Sequence, residues 1–309
     1  MGYRPAVVRG TVGRLTRKLR TARSSESAPR FTVFAWFPDG EIRGINPAQG
    51  FYRQPCVSPD GGSAVFWGGP AGAPRIFHSN LTGQVQPLGP PWARHPSFGA
   101  DGRYVVCAAQ PEDDPVKESA DNIRGNGAPH LDIALGIVVV DMTTGASQRV
   151  TSGPHIDQRP ALSPDGRRIA FTSNREPSPG LWVVDVDGTH LRPLSVAGYR
   201  AWWSGDNRTL YFSGVTGDRS QIHRADADDD VVTPIPLSND DRGQTFGPFL
   251  DPSGQRLLVH STRDDGCNIY ELPLDESPMR RLEPPGLDGY RVSHVTRAAS
   301  GVFVFDAVG

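Results

Sequence analysis

The sequence predicts an all-β chain folded as a six-bladed β-propeller, and three observations carry that expectation. One hairpin pattern recurs six times, over Gln54–Trp67, His95–Ala108, Arg159–Thr172, Arg200–Ser213, Gly247–His260 and, more weakly, His294–Ala307. Successive copies begin 41 residues apart (Gln54 to His95, Arg159 to Arg200) or 47 apart (Arg200 to Gly247, Gly247 to His294), with one longer interval from His95 to Arg159. That is the length of a four-stranded propeller blade and excludes helical solenoids. Finally, the last copy has no second hairpin after it, while an unmatched hairpin, Phe31–Pro47, stands before the first copy.

The chain opens on a basic segment. Residues 1–30 carry eight Arg or Lys against Glu26 alone, and the rest has 24 basic and 33 acidic residues, so the overall charge of −2 hides a basic tail on an acidic body. Within Gly10–Arg23, Val12, Leu15 and Leu19 share one helical face, but Gly10 and Gly13 weaken a helix there. Residues 1–30 are therefore expected to be a flexible or partly helical extension, with the propeller at 31–309. Membrane or nucleic-acid contact would come only through that tail, since the acidic body disfavours general nucleic-acid binding. The tail lacks a continuous apolar stretch before a small-residue cleavage site, which leads us to expect cytoplasmic residence; a monomer is expected.

Each recurring unit reads as two strands, a and b, around a turn. In Arg159–Thr172 the turn is Ser163-Pro164-Asp165-Gly166, where Pro presets φ and Gly accepts the left-handed region. Strand b is almost wholly apolar, as in Ala64–Trp67, Tyr104–Ala108 and Ile169–Phe171, which is expected where both faces of a sheet are covered. A second hairpin, strands c and d, follows at Arg75–Leu88, Gly136–Val150, Gly180–Leu194, Ser220–Leu237 and Asn268–Leu282. The terminal halves would complete the sixth blade, which closes the ring. Cys56, Cys107 and Cys267 fall within or beside strands and read as packed thiols rather than a disulfide framework.

The stretch Ser163–Gly188 (SPDGRRIAFTSNREPSPGLWVVDVDG) resembles the TolB-type propeller repeat over its full length, and the resemblance extends at decreasing quality over residues 31–309. It implies the architecture and leaves the activity open, since similar propellers serve as docking domains, as gating domains of peptidases and as oligogalacturonate lyases.

Strand direction places the b–c and d–a connections on one face. That face receives the longest connection, Gln110–Ile133, whose Glu112, Asp113, Asp114, Glu118 and Asp121 make it acidic. The starts of the six inner strands bring Arg53, Gln54, Arg94, His95, Gln158, Arg159, Tyr199, Arg200, Phe246 and His294 to the same mouth. Guanidinium groups suit carboxylate or phosphate, and Tyr199, Phe246, Trp92 and Trp202 are the candidate stacking surfaces. The expected ligand-binding residues are thus Arg53, Arg94, Arg159, Tyr199, Arg200 and Phe246, for a partner protein, peptide or anionic small molecule. The acidic connection is expected either as a solvated insertion or as a lid over this basic mouth.

The sequence has no GxSxG elbow, HExxH motif or paired cysteine ligands, which disfavours serine-hydrolase and zinc-ribbon chemistry. No cofactor is expected. The alternative is a propeller enzyme, a lyase, hydrolase or cyclase, in which His95, His155 or His294 act as acid–base groups, or a divalent metal sits among His95, His155, His260 and His294 with Asp157 beside them. The tight histidine cluster of the lyases has no visible counterpart, and their ring has seven blades. His78, His190 and His223 are expected on the outer surface, and the run Asp226, Asp228, Asp229, Asp230 as a solvated c–d turn.

Overall fold

A computed structural model describes residues 7–8, 31–47, 50–69, 74–112, 133–175, 180–194, 196–229, 235–237, 243–264 and 266–309. Most of the basic extension, and the greater part of the acidic connection (113–132), lie outside the described residues. Val7–Val8 pairs antiparallel with Ile42–Gly44 as an outermost strand.

Six antiparallel sheets are arranged around one axis. Their innermost strands are Phe51–Val57, Ala93–Phe98, Gln158–Leu162, Gly198–Trp203, Thr245–Leu250 and Arg291–Arg297. In the first five blades the strand order follows the sequence outward, a to d. The sixth blade joins the two ends of the chain: Phe31–Trp36 pairs with Phe303–Val308 in continuous register, Phe31 opposite Val308 through Trp36 opposite Phe303.

The a–b turns repeat one geometry. An N–H three residues on donates to the carbonyl that opens the turn, as in Gly61 to Ser58 (2.9 Å), Gly166 to Ser163 (2.9 Å) and Gly254 to Asp251 (2.8 Å). The donor residue lies in the left-handed region each time, and where blade 4 has no glycine Asn207 takes its place at φ 60°. Strand b is largely buried, and wholly so in Ala64–Gly69, because each face packs on a neighbouring blade. Between the sixth and first blades, for example, Val33, Ala35 and Val304 meet Tyr52, Val57 and Phe66. Burying a side chain the size of Phe66 stabilises the ring by roughly 1.5–3 kcal/mol, so the blades hold together mainly by these apolar seams.

The outer positions contain one correction. His78 is half-buried and His190 is exposed and paired with Asp185 (2.8 Å), but His223, expected at the surface, is buried. It stacks on Phe212 at 5.7 Å, in space left by Gly214, where an added Cβ would sit 2.7 Å from the imidazole Nδ1. The Asp226–Asp229 stretch forms a strand end and turn, tied by Asp226 to Arg208 and by Asp228 to Arg168; Asp230 lies outside the described residues.

Candidate functional site

All six inner strands break register at the same point, two residues long: Gln54–Pro55, His95–Pro96, Arg159–Pro160, Arg200–Ala201, Gly247–Pro248 and His294–Val295. The first residue of each bulge is left-handed, with φ of 51° at Gln54, 55° at His95, 53° at Arg159, 56° at Arg200, 65° at Gly247 and 50° at His294. Such a conformation costs a non-glycine residue on the order of 1 kcal/mol, and five of them stand in one ring. A bulge redirects its side chain, and here the ring meets around the axis. The bulge N–H groups bond across blade seams where a partner exists: Gln54 to Asp306 Oδ2 (2.7 Å), Gly247 to Ser213 Oγ (2.9 Å) and Arg200 to Thr172 Oγ1 (3.3 Å).

These residues line a central cavity of about 120 Å³. Gln54, His95, Ser97, Arg159, Arg200, His294 and Thr296 form its polar part, while Pro55, Pro96, Pro160, Pro248, Trp202 and Phe249 are among its apolar walls. Trp202 packs on three apolar clusters drawn from blades 1–2, 3–4 and 5–6, so its indole lies across the axis.

Five of the mouth residues read from the sequence, Arg53, Arg94, Gln158, Tyr199 and Phe246, precede the bulge and do not line this cavity, and four of them pack against neighbouring rings. The Arg53 guanidinium lies 4.3 Å from the Phe31 ring centre and that of Arg94 lies 5.9 Å from Trp67. Tyr199 bonds Ser220 (2.8 Å) under Arg159, and Phe246 packs on His260 at 4.7 Å. Gln158 is half-buried at the start of its strand, and Trp92 is half-buried between the first two blades.

The cavity is electrostatically one-sided. Among the described residues, Arg53, Arg159 and Arg200 form no ion pair with a carboxylate, and the Nε of each is buried without a hydrogen-bond partner. Burial, with Arg200 nearby, pushes the Arg159 guanidinium down to about 9, and burial with Arg53 nearby brings Arg200 to about 10. Both remain charged at neutral pH. His95 and His260 are held well below the ordinary imidazole range, first by burial and then by surrounding charges, and each has a buried Nδ1 without a partner among the described residues. Neutral His260 accepts a bond at Nε2 from Arg200 Nη1 (3.2 Å).

Asp306 is the carboxylate that balances part of this charge. It is fully buried, yet His294 and Arg53 hold it below the usual carboxylate range despite burial. It accepts from Ser293 Oγ and, at 2.9 Å, from His294 Nδ1, which fixes the imidazole tautomer. His294 Nε2 then faces Gln54 Nε2 at 3.4 Å, and Trp67 Nε1 donates to Gln54 Oε1 at 2.6 Å, orienting the amide. Neither Asp306 nor Trp67 was singled out by the sequence, since each falls within an apolar strand b.

The histidines proposed as metal ligands are only partly brought together. His260 and His294 lie 5.1 Å apart between ring centres, and His95 joins them around the ring. His155 lies in the loop before blade 3, and Asp157 is occupied by Arg175 (2.6 Å), Thr151 and Ser173. Among the described residues no group of three or more His, Cys, Asp or Glu side chains is placed to hold a metal ion.

Residues 128–248 match the family model for the TolB β-propeller domain. A solved structure assigned to TolB from Agrobacterium tumefaciens superposes with a TM-score of 0.68 at 16% identity, covering 92% of this chain and 99% of the other. The chain is a TolB-like six-bladed propeller. A TolB homologue of Chlorobium luteolum is 27% identical over 138 residues, which is 44% of this chain and 31% of that protein. An uncharacterized protein of Agrobacterium fabrum is 33% identical over 72 residues, 23% of this chain and 25% of its own length. The TolB-like propeller thus spans less than a third of the length of these two curated relatives. An oligogalacturonate lyase of Vibrio parahaemolyticus shares the fold, with a TM-score of 0.53 and 14% identity, covering 89% of this chain and 77% of the lyase.

Proposed function

We propose that this TolB-like propeller is a binding protein that captures a small anionic ligand in its central cavity. The observation that carries the reading is a set of three half-buried arginines, each with a buried Nε, Arg159 and Arg200 on the cavity wall and Arg53 behind it, without carboxylate partners among the described residues. A buried, uncompensated cation is costly, and an entering anion offsets that cost for several cations at once. Guanidinium donors also match the planar geometry of carboxylate and the oxygens of phosphate. The cavity is too small for a folded partner, so a protein or peptide would reach it only with an acidic side chain or its C-terminus.

The test is calorimetric titration of the full chain with acetate, phosphate and a neutral amide of equal size, alongside Arg200→Gln. The reading expects binding of at least one anion, none of the amide, and at least tenfold weaker binding by the variant. Equal behaviour of anion and amide would overturn it.

Catalysis at the same cavity is the second reading, favoured by the His294–Asp306 pair, in which a carboxylate orients an imidazole as a general base requires. The Nε2 lone pair already faces the Gln54 amide, which weighs toward binding.

A further inference from the structure

We propose that the anion is a small carboxylic acid with a short apolar chain, its carboxylate between Arg159 and Arg200 and its chain against Trp202. This rests on the anion-binding reading above and adds what the rest of the cavity wall implies.

The cavity wall combines two chemistries. Its polar part carries the guanidinium groups of Arg159 and Arg200, the buried His95, whose Nδ1 has no partner among the described residues, and the hydroxyls of Ser97 and Thr296. Its apolar part carries four prolines, Pro55, Pro96, Pro160 and Pro248, one after each of four bulge residues, with Trp202 and Phe249. Proline has no N–H to donate. A phosphate or sulfate presents oxygens in every direction, and any turned onto a proline or an aromatic ring is desolvated without a donor there. A carboxylate concentrates its charge at one end and leaves an apolar end for the prolines and rings.

Trp202 gives that wall its shape. Its ring lies 4.5 Å from Phe249 and packs on clusters from three pairs of blades, so it forms a flat apolar floor across the axis. The volume sets the size of the guest. An apolar cavity of roughly 150 Å³ takes up benzene, so about 120 Å³ corresponds to a ligand of about five heavy atoms, a three-carbon acid.

The experiment measures dissociation constants of the full chain for acetate, propionate, butyrate and hexanoate by ligand-observed NMR, with phosphate and methyl butyrate as controls. Affinity should rise about fourfold from acetate to propionate and then level off through butyrate and hexanoate. Phosphate and the uncharged ester should each bind at least tenfold more weakly than butyrate. Trp202→Ala should flatten the series while keeping acetate binding, and Trp202→Phe, which keeps a ring in place, should retain most of the gradient if the alanine variant does not fold. A flat series with phosphate equal to butyrate would overturn this inference and leave anion capture standing. Absence of binding by every anion would overturn both.

Discussion

His294 donates from Nδ1 to Asp306 at 2.9 Å, and the same carboxylate accepts the backbone N–H of Gln54 at 2.7 Å, so one buried charge joins the last inner strand to the first. The ring therefore closes twice. The register of Phe31–Trp36 with Phe303–Val308 closes it within the sixth blade, and Asp306 closes it across the seam to blade 1.

Replacing Asp306 by alanine leaves the Gln54 N–H and the His294 Nδ1–H without an acceptor and removes the anion nearest in charge to Arg53 and Arg200. Each buried donor left without a partner costs about 1–3 kcal/mol, so the two together cost a few kcal/mol. Urea denaturation of Asp306→Ala should show a loss of that order; Asp306→Asn, which keeps an acceptor oxygen, should lose less. A stability equal to that of the parent chain would show that the seam does not depend on this carboxylate.

The imidazoles make stability depend on pH. Burial brings His294 down to about 4, even though Asp306 opposes the shift, and burial likewise holds His95 and His260 well below the ordinary value. Each folded-state value lies below the unfolded one, so between about pH 6.5 and 5 the unfolded chain binds more protons than the folded chain. Stability conferred by neutral imidazoles is present above that window and is lost as pH falls through it. The urea midpoint should drop from pH 7 to pH 5, and His260→Phe, which removes one of the three groups, should reduce the slope. A midpoint that is flat over this range would contradict the assignment.

Gly247 is the ring position with no side chain, and the reason is local. A Cβ there would stand 2.6 Å from His260 Cε1 and 3.3 Å from Arg200 Nη1, on a residue whose φ is 65°. Gly247→Ala should cost about 1–3 kcal/mol through strain and overpacking and should weaken anion binding by displacing the Arg200–His260 pair. Unchanged stability and affinity would mean that this pair does not set the cavity's shape.

Much of this was legible from spacing alone. The six repeats mark the blades, and their first residues, Gln54, His95, Arg159, Arg200, Gly247 and His294, are the six bulge residues. The sequence could not display the bulge itself, which depends on pairing between strands, and so Arg53, Arg94, Tyr199 and Phe246 read as cavity residues although they turn onto neighbouring rings. Trp202 was visible as a stacking surface, whereas its place across the axis follows from the packing of three blade pairs. Asp306 was concealed because a single acid at the end of an apolar strand carries no pattern. His223 was misread for the opposite reason, its burial depending on a glycine nine residues earlier in the partner strand.

On the anion-binding reading, the cavity holds more cationic charge than its own residues neutralise. Thermal unfolding of the parent chain and of Arg159→Leu, with increasing butyrate at constant ionic strength and a bulky sulfonate as the only other anion, tests it most directly. Without butyrate the leucine variant should melt higher than the parent, because one of two repelling buried guanidinium groups is gone. With butyrate at a hundredfold excess over its dissociation constant the parent should gain about 2.7 kcal/mol, several degrees in Tm, and the variant should gain little. A variant that melts lower than the parent without ligand, together with a parent indifferent to butyrate, would contradict the account.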